Sequence, residues 1–482
     1  MRLKDHLYHV IQSMPEFLPE IWLAGAFLLI LLCEIIFKRR VPSIPFLLRV
    51  LTFGFGLVAL VLVFQQWNAT NGYLFHHLLY LDNKAVFFKF VIITALLLVL
   101  IHIHISKTYL PAEFYSIVLA ITLGLCLMTM SVNGLSVYLS LELVSIGSYL
   151  IAAFGSEKKS SEGALKYLLF GAISSALMLY GLSFLYGMTG TLDFTSPHFS
   201  RQLFQNPSAV LGIVSFLTLA GVLFKLSLVP FHVWTPDMYE AAPTPIVAFL
   251  STAPKAAALL VLMRLMSALP SDLQKLTALL SLISILVGNL SALWQNNLKR
   301  LLAYSGIAQA GFMLVGIVAL NQSGFESASF YVAIYVLMNI ASFILIDLLA
   351  SKETDLASLA GKGSQEPLLG VCFTILMIAL VGLPPTAGFT AKLLVFSALW
   401  ESWQATGATL LIVLLIVGLL NAIISLFYYF KIPFYLYFRT ATDKTYTPIT
   451  IYQKAFVFFL TLLIVVLFLK ADWLIGWVRA IG

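Results

Sequence analysis

Four ionisable residues interrupt apolar stretches that are otherwise long enough to cross a bilayer: Glu142, Lys225, Lys255 and Lys392. A charged side chain near the bilayer centre costs roughly 2.5–3.5 kcal/mol on insertion scales. A chain that keeps three lysines and a glutamate there has a use for them, and the natural use is to pass ions or protons. Lys225 stands five residues before Pro230 in Gly221-Val-Leu-Phe-Lys-Leu-Ser-Leu-Val-Pro-Phe-His-Val-Trp234. Proline removes a backbone donor and frees carbonyls of the preceding turn for water or a cation. A lysine beside such a break can release and regain a proton. Glu142, in Leu139-Ser-Leu-Glu-Leu-Val-Ser-Ile-Gly-Ser-Tyr149, is expected to face Lys225, so that the charge state of each acts on the other. Lys255 follows Ser251-Thr-Ala-Pro254, and Lys392 follows Gly382-Leu-Pro-Pro-Thr-Ala-Gly-Phe-Thr-Ala391. Together the four could form a polar row along the midplane. The plainer readings are a lysine snorkelling to an interface and a static ion pair that fixes helix packing.

The elements that must position these residues are membrane spans. Of the 482 residues, 61% are hydrophobic and 10% charged, far below the roughly 25% charged residues of a soluble domain. The mean hydropathy is +0.98, so the fold class is an all-α polytopic membrane protein. Apolar runs of about 20 residues, the length that crosses a bilayer, lie near 17–37, 46–65, 85–105, 112–130, 133–155, 164–187, 209–232, 245–268, 273–294, 299–320, 327–350, 369–399, 407–430 and 454–478. That predicts about fourteen transmembrane helices, with breaks at the prolines of the seventh and twelfth. The net charge of +7 fits basic residues gathered in cytoplasmic loops rather than a nucleic-acid partner. Lys38, Arg39, Arg40 and Arg49 mark one side as cytoplasmic. Alternation then brings Lys107, Lys158, Lys159, Lys166, Lys299, Arg300, Lys352, Lys362, Lys431, Arg439, Lys444 and Lys454 to that side. The smaller set of Arg2, Lys4, Lys84, Lys89, Arg201, Arg264, Lys275, Lys470 and Arg479 falls opposite, which predicts both termini on the non-cytoplasmic side. No cleavable signal is evident before the span at 17–37, where Pro19 and Glu20 suit a first helical turn.

A weak internal echo, offset by about 163 residues, relates Asn133-Gly-Leu-Ser to Asn296-Asn-Leu-Lys. A similar offset relates Lys225 and Pro230 to Pro384, Pro385 and Lys392. Two such units separated by an odd number of crossings insert upside down relative to each other, as in many transporters. The expected segments are 1–110 (three helices), 111–270 and 271–432 (five-helix repeats) and 433–482 (a last helix).

Other residues carry weaker signals. His232 beside Pro230 is either a proton entry point or a structural donor. Lys299 and Arg300 are a proton-path candidate and its neighbour, or positive-inside anchors. Asp237 and Glu240 read as loop and helix-cap residues, and Glu34 and Asp347 as interfacial. His102 and His104 share one helical region, with little to suggest a metal site. Cys33, Cys126 and Cys372 lie apart with no CxxC, which argues against a cluster, a zinc site or a disulfide framework. No GxGxxG or GxxxxGK[ST] is present. The chain is therefore expected to hold no cofactor and no metal.

Four stretches resemble the antiporter-like membrane subunits of proton-pumping NADH:quinone oxidoreductase, respiratory complex I: LELVSIGSYLIAAF, FKLSLVPFHVWTPDMYEAAPTPIVAFLSTAPKAA, NLKRLLAYSGIAQAGF and GLPPTAGFTAKLLVF. The resemblance covers essentially the whole chain. Leu18-Pro-Glu20 and Lys392 are most similar to the N type; the M type usually has glutamate at the position of Lys392, and the L type carries a long lateral helix. The resemblance implies fourteen helices with two inverted five-helix repeats, Glu142 and Lys225 as the coupled pair, Lys255 as the connecting lysine and Lys392 as the exit-side lysine. It implies an M-like subunit on one side and small membrane subunits on the other, in a bacterial inner membrane, with NADH, FMN, iron–sulfur clusters and quinone in partner subunits. Gln309 stands where the family often has histidine, and Ala241 where glycine is common. The alternatives are a subunit of a multi-subunit Na+/H+ antiporter or membrane-bound hydrogenase, which sodium-dependent transport without NADH-oxidising partners would mark. A structural scaffold with inert ion pairs is a third, which charge-removing substitutions without effect would mark.

Overall fold

The computed structural model describes residues 10–37, 44–67, 71–155, 158–203, 205, 207–269, 273–350, 354–440 and 448–480. Arg2, Lys4, Lys38, Arg39, Arg40, Lys352 and Lys444 of the charge count lie outside them. The chain begins with α1 (Leu18–Phe37), α2 (Ile44–Gln65) and α3 (Asn83–Ser106). Between α2 and α3 sits a short antiparallel hairpin, β1 (Gly72–Leu74) with β2 (Leu79–Leu81), in register Tyr73 against Tyr80. There follow α4 (Glu113–Met130), α5 (Gly134–Ala152), α6 (Lys158–Thr189), α7 (Pro197–Leu203), α8 (Ser208–Leu226), α9 (Trp234–Ala241), α10 (Thr244–Leu250) and α11 (Ala253–Ala268). The rest is α12 (Leu273–Leu293), α13 (Leu298–Val318), α14 (Gln322–Leu349), α15 (Lys362–Gln365), α16 (Pro367–Val381), α17 (Ala387–Thr406), α18 (Thr409–Tyr429), α19 (Lys431–Phe438), α20 (Ile451–Leu469) and α21 (Ala471–Arg479).

Among the described residues, twelve helices are long and apolar enough to cross a membrane. They include 244–268, where α10 and α11 run on, and 409–438, where α18 and α19 do. The apolar helices 210–226 and 367–381 are shorter, and both lie where the sequence predicts the seventh and twelfth spans. The reason is local. Ser227 turns left-handed at φ 59° and closes α8, so the helical path resumes only at Trp234. Gly382, at φ 85°, does the same for α16, before α17 starts at Ala387.

Burial sorts the helices into an inner and an outer set. Thr244–Ala268 is buried along its whole apolar window, whereas Ile451–Leu469 is 22% buried. Helices that are apolar on all sides belong inside, and those with one bare apolar face border lipid. The bare faces carry residues such as Leu28, Leu32 and Ile35 on α1, and Leu139, Leu143 and Ile146 on α5. Within the inner set α3 packs on α10, α11 and α14, and α12 lies closely along α13. The last approach is close because Gly288 has no side chain: a Cβ there would stand 2.5 Å from the Ala308 nitrogen.

Two helix starts are built alike. Asn133 caps α5 by accepting from the Leu135 amide, and its backbone pairs with Asp193 in an isolated antiparallel bridge. Asn297 caps α13 by accepting from the Lys299 and Arg300 amides, and pairs in the same way with Asp355.

Candidate functional site

Each expected lysine is buried near an end of its helix. Lys225 occupies the last turn of α8 and is 2% exposed. Its Nζ stands 3.4 Å from the Tyr167 hydroxyl, over the rings of Tyr149, Tyr167 and Phe224 at 5.5–5.8 Å. Among the described residues, no carboxylate lies within the 4.0 Å of an ion pair. Glu142 lies on α5 two turns before Tyr149 and so on the same face, roughly 10 Å along the axis. It is half-buried, close enough to act on Lys225 electrostatically, and its Oε1 has no hydrogen-bond partner. Glu142 is thus near Lys225 without the direct pairing that a static bridge requires.

Lys255 sits in the first turn of α11, 1% exposed, and donates to the Gly306 carbonyl of α13 at 2.7 Å. The Tyr335 ring lies 5.9 Å away. Gly306 is small for a reason: a Cβ there would press on Tyr335 Oη and on Lys255 Nζ, at 3.1 and 3.3 Å. Lys392, in the second turn of α17, is 5% exposed. Its Nζ donates to Val381 O at 2.6 Å and Leu380 O at 3.4 Å, two of the last-turn carbonyls of α16. Those carbonyls lack helical partners and form the negative end of the helix dipole. The Phe312 ring covers the ammonium at 4.4 Å.

Between Lys255 and Lys392 runs a neutral polar chain centred on Gln309. Its Nε2 donates to Leu380 O at 2.8 Å and to Tyr429 Oη at 3.0 Å, while Tyr331 donates to its Oε1 at 2.5 Å. Leu380 O is thus shared by Gln309 and Lys392. Tyr429 bonds in turn to Ser305, the neighbour of Gly306 on which Lys255 rests. The sequence offers Gln309 only as a departure from histidine; here it joins the surroundings of the two lysines.

The weaker candidates are placed as follows. His232 lies in the loop between α8 and α9, half-buried, with Nδ1 unpartnered. Lys299 is buried and donates to Ala242 O at 2.9 Å. Asp237 and Glu240 are more than loop and cap residues. Asp237 takes Arg300 at 2.8 Å and Lys166 at 2.8 Å, and Glu240 takes the same Arg300 nitrogen at 2.9 Å. This pins α9 between α6 and α13. Burial pushes the Asp237 carboxyl up, yet its bonds to Lys166 and Arg300 outweigh that and hold it below the usual carboxylate range. Asp347 is paired with the fully buried His102 at 2.8 Å, which ties α14 to α3, and Glu34 is buried against Ser116 at 3.2 Å.

One cluster went unread in the sequence. Lys89 is not a loop cation: its side chain and that of Glu20 are both 0% exposed, with Nζ 2.8 Å from Oε1. Lys89 also donates to Gln66 at 3.2 Å, and Gln66 donates to Glu16 O. The Glu20 contact is an ion pair off the hydrogen-bond angle, and Oε2 has no hydrogen-bond partner. Both residues lie within two turns of a helix start, where charges are ordinary. Only the fold brings them together. Among the described residues, no three His, Cys, Asp or Glu gather as metal ligands would.

Residues 131–420 match the family described as NADH:quinone oxidoreductase/Mrp antiporter, TM. NADH-quinone oxidoreductase subunit N 2 of Chloroherpeton thalassium is 36% identical over 93% of this chain and 91% of its own length. NADH-quinone oxidoreductase subunit N of Chlorobium chlorochromatii is 37% identical over 89% and 86%. A chain of respiratory complex I from Thermus thermophilus superposes with a TM-score of 0.83 at 29% identity, covering 96% of this chain and all of that one. The chain belongs to the NADH:quinone oxidoreductase/Mrp antiporter transmembrane family, among the antiporter-like subunits of respiratory complex I.

Proposed function

We propose that the chain is a proton-translocating membrane subunit of NADH:quinone oxidoreductase, a translocase component without a redox centre of its own. One observation carries the reading. Lys225, Lys255 and Lys392 are almost fully buried, and each Nζ rests on carbonyl or hydroxyl oxygens instead of a carboxylate. A buried ammonium with a fixed counter-charge cannot give up its proton without stranding that charge. One held by neutral oxygens can. Glu142, coupled to Lys225 through space, is the input; Lys255 connects; Lys392 is the exit-side group; His232 and Lys299 are secondary positions on the path. Quinone reduction occurs in partner subunits, which hold the NADH site, FMN, iron–sulfur clusters and quinone, and its energy reaches Glu142 electrostatically.

The finer architecture follows the same reading: fourteen spans in the segments 1–110, 111–270, 271–432 and 433–482, with inverted five-helix repeats, broken seventh and twelfth helices and both termini on the non-cytoplasmic side. It is supported by the capped, bridged starts of α5 and α13, which recur 164 positions apart (Asn133 and Asn297). The stops at Ser227 and Gly382, each beside a buried lysine, point the same way. The neighbours are an M-like subunit on one side and small membrane subunits on the other, in the bacterial inner membrane. A Na+/H+ antiporter or hydrogenase subunit is the less favoured reading, since the relatives matched over most of the chain are NADH-quinone oxidoreductase subunits. The test is proton uptake and quinone reduction by the whole complex carrying Lys225→Ala or Glu142→Ala. Both should fall in each variant; wild-type turnover and proton yield in both would overturn the assignment.

A further inference from the structure

A cavity of about 560 Å³ opens where the end of α3, the first turns of α2 and the start of α20 meet. Its wall holds Arg49, His104 and Lys107, and among the described residues no acidic one lines it. None of the three has a carboxylate within 4.0 Å among the described residues. The wall is fixed in place: Gln453 of α20 donates to Ile105 O at 2.7 Å, and Arg49 is stacked over the Phe46 ring at 5.2 Å. Unpaired cations that converge on one cavity favour an anion.

The cavity continues into a second space that shares Phe46, Arg49 and His104 and is otherwise lined by Val50, Phe53, Leu100 and Ile101. Those apolar residues lie up to about 6 Å from Arg49 or His104 along the helices, toward the middle of the membrane. Val50 is half exposed, so the groove opens on the outer face of the chain. Tyr109 and Tyr452, 81% and 83% exposed, stand at the cavity rim, at the level where aromatic belts meet headgroups. A basic pocket between membrane helices with an apolar groove beneath it matches a phosphate headgroup above an acyl chain.

We propose that this cleft between α2 and α3 binds one anionic phospholipid, its phosphate held by Arg49 and Lys107, with His104 beside it and an acyl chain along Val50 and Phe53. Free phosphate would satisfy the cations and leave the groove bare, so the occupant is a lipid.

The test uses the intact complex, stripped of lipid in mild detergent and exposed to phosphatidylcholine vesicles with or without 20% phosphatidylglycerol, with retained lipid counted by native mass spectrometry. The parent complex should retain phosphatidylglycerol at this site. Arg49→Gln with Lys107→Gln should weaken retention roughly 30-fold, at the usual strength of a basic residue near an anionic headgroup. Val50→Trp should abolish retention with both cations in place, and inorganic phosphate at matched concentration should not compete. Unchanged retention in both variants would overturn the proposal, as would displacement by inorganic phosphate. Loss in the charge variant but full retention in Val50→Trp would likewise overturn it, since the acyl groove would then be idle.

Discussion

Lys89→Met separates what the buried Glu20–Lys89 pair does for the fold from what its burial costs. Both side chains are withdrawn from solvent, and the ammonium serves Glu20 and Gln66 together. Removing the ammonium leaves the Glu20 carboxyl group buried without its partner and costs Gln66 Oε1 its donor. Breaking a buried pair from one side costs about 3–5 kcal/mol, whereas exchanging both members for well-packed neutral groups is near neutral or stabilising. A second variant, Glu20→Gln with Lys89→Met, keeps the volume and removes both charges, and should regain most of the loss. The readout is the thermal midpoint and yield of the assembled complex for the parent, both single variants and the double, all in one detergent. The expected order is parent and double together, with both singles well below. A cycle that adds within about 0.5 kcal/mol, or singles with the parent's midpoint, would refute the reasoning. In that case Glu20 and Lys89 would not depend on each other.

Lys392→Met should lower coupled quinone reduction roughly a hundredfold, the low side of what a positioned proton-transfer group contributes, with yield of the complex unchanged; activity in reconstituted vesicles measures it. Gln309→Leu strips the Tyr331 hydroxyl of its partner, while Tyr429 keeps Ser305, and should cost about 1–3 kcal/mol for the buried group left unpaired; a thermal midpoint equal to the parent's would count against the central chain. Gly388→Ala would place a Cβ 1.9 Å from Ala379 O, so α17 must move away from α16 and carry Lys392 with it; both the yield and the pumping should fall. Asp237 sits below the usual carboxylate range, so the stability it contributes is present above its unfolded pKa of about 3.9 and is lost as pH falls through its lower folded value. Asp237→Asn should flatten the acid limb of the complex's melting profile below about pH 4 and leave the neutral limb at a lower, pH-independent level.

The parts of this protein that were legible in its sequence share one property: they contradict their surroundings. A lysine inside twenty apolar residues is costly wherever it ends up, so Lys225, Lys255 and Lys392 announce themselves before any fold is known. The apolar runs likewise marked an all-helical membrane fold, with twelve helices long and apolar enough to cross among the described residues, because a helix is the local solution to an unsatisfied backbone in lipid. Proline flagged the stretches after Lys225 and before Lys392, although the residues that close the helices there are Ser227 and Gly382, one of them a serine, a type that seldom turns left-handed.

What stayed hidden is what looks ordinary until it is paired. Gln309 and Tyr429 are neutral, 120 residues apart, and each alone is an unremarked polar group in an apolar helix. Glu20 and Lys89 sit near helix starts, where sequence reading sends charges to the interface, yet the fold covers both. Asp237 and Arg300 looked like a cap and an anchor, and proved to be joined across α9 and α13. The distinction is physical. Insertion cost is a property of one residue, and so it is written in the local sequence. Satisfaction of a buried polar group belongs to a pair, and the pair exists only once distant helices have packed. The proposed proton path would use both kinds, costly groups that hold the charge and neutral ones that connect them. That is why the lysines of this chain were found first and the Gln309 chain between them only in three dimensions.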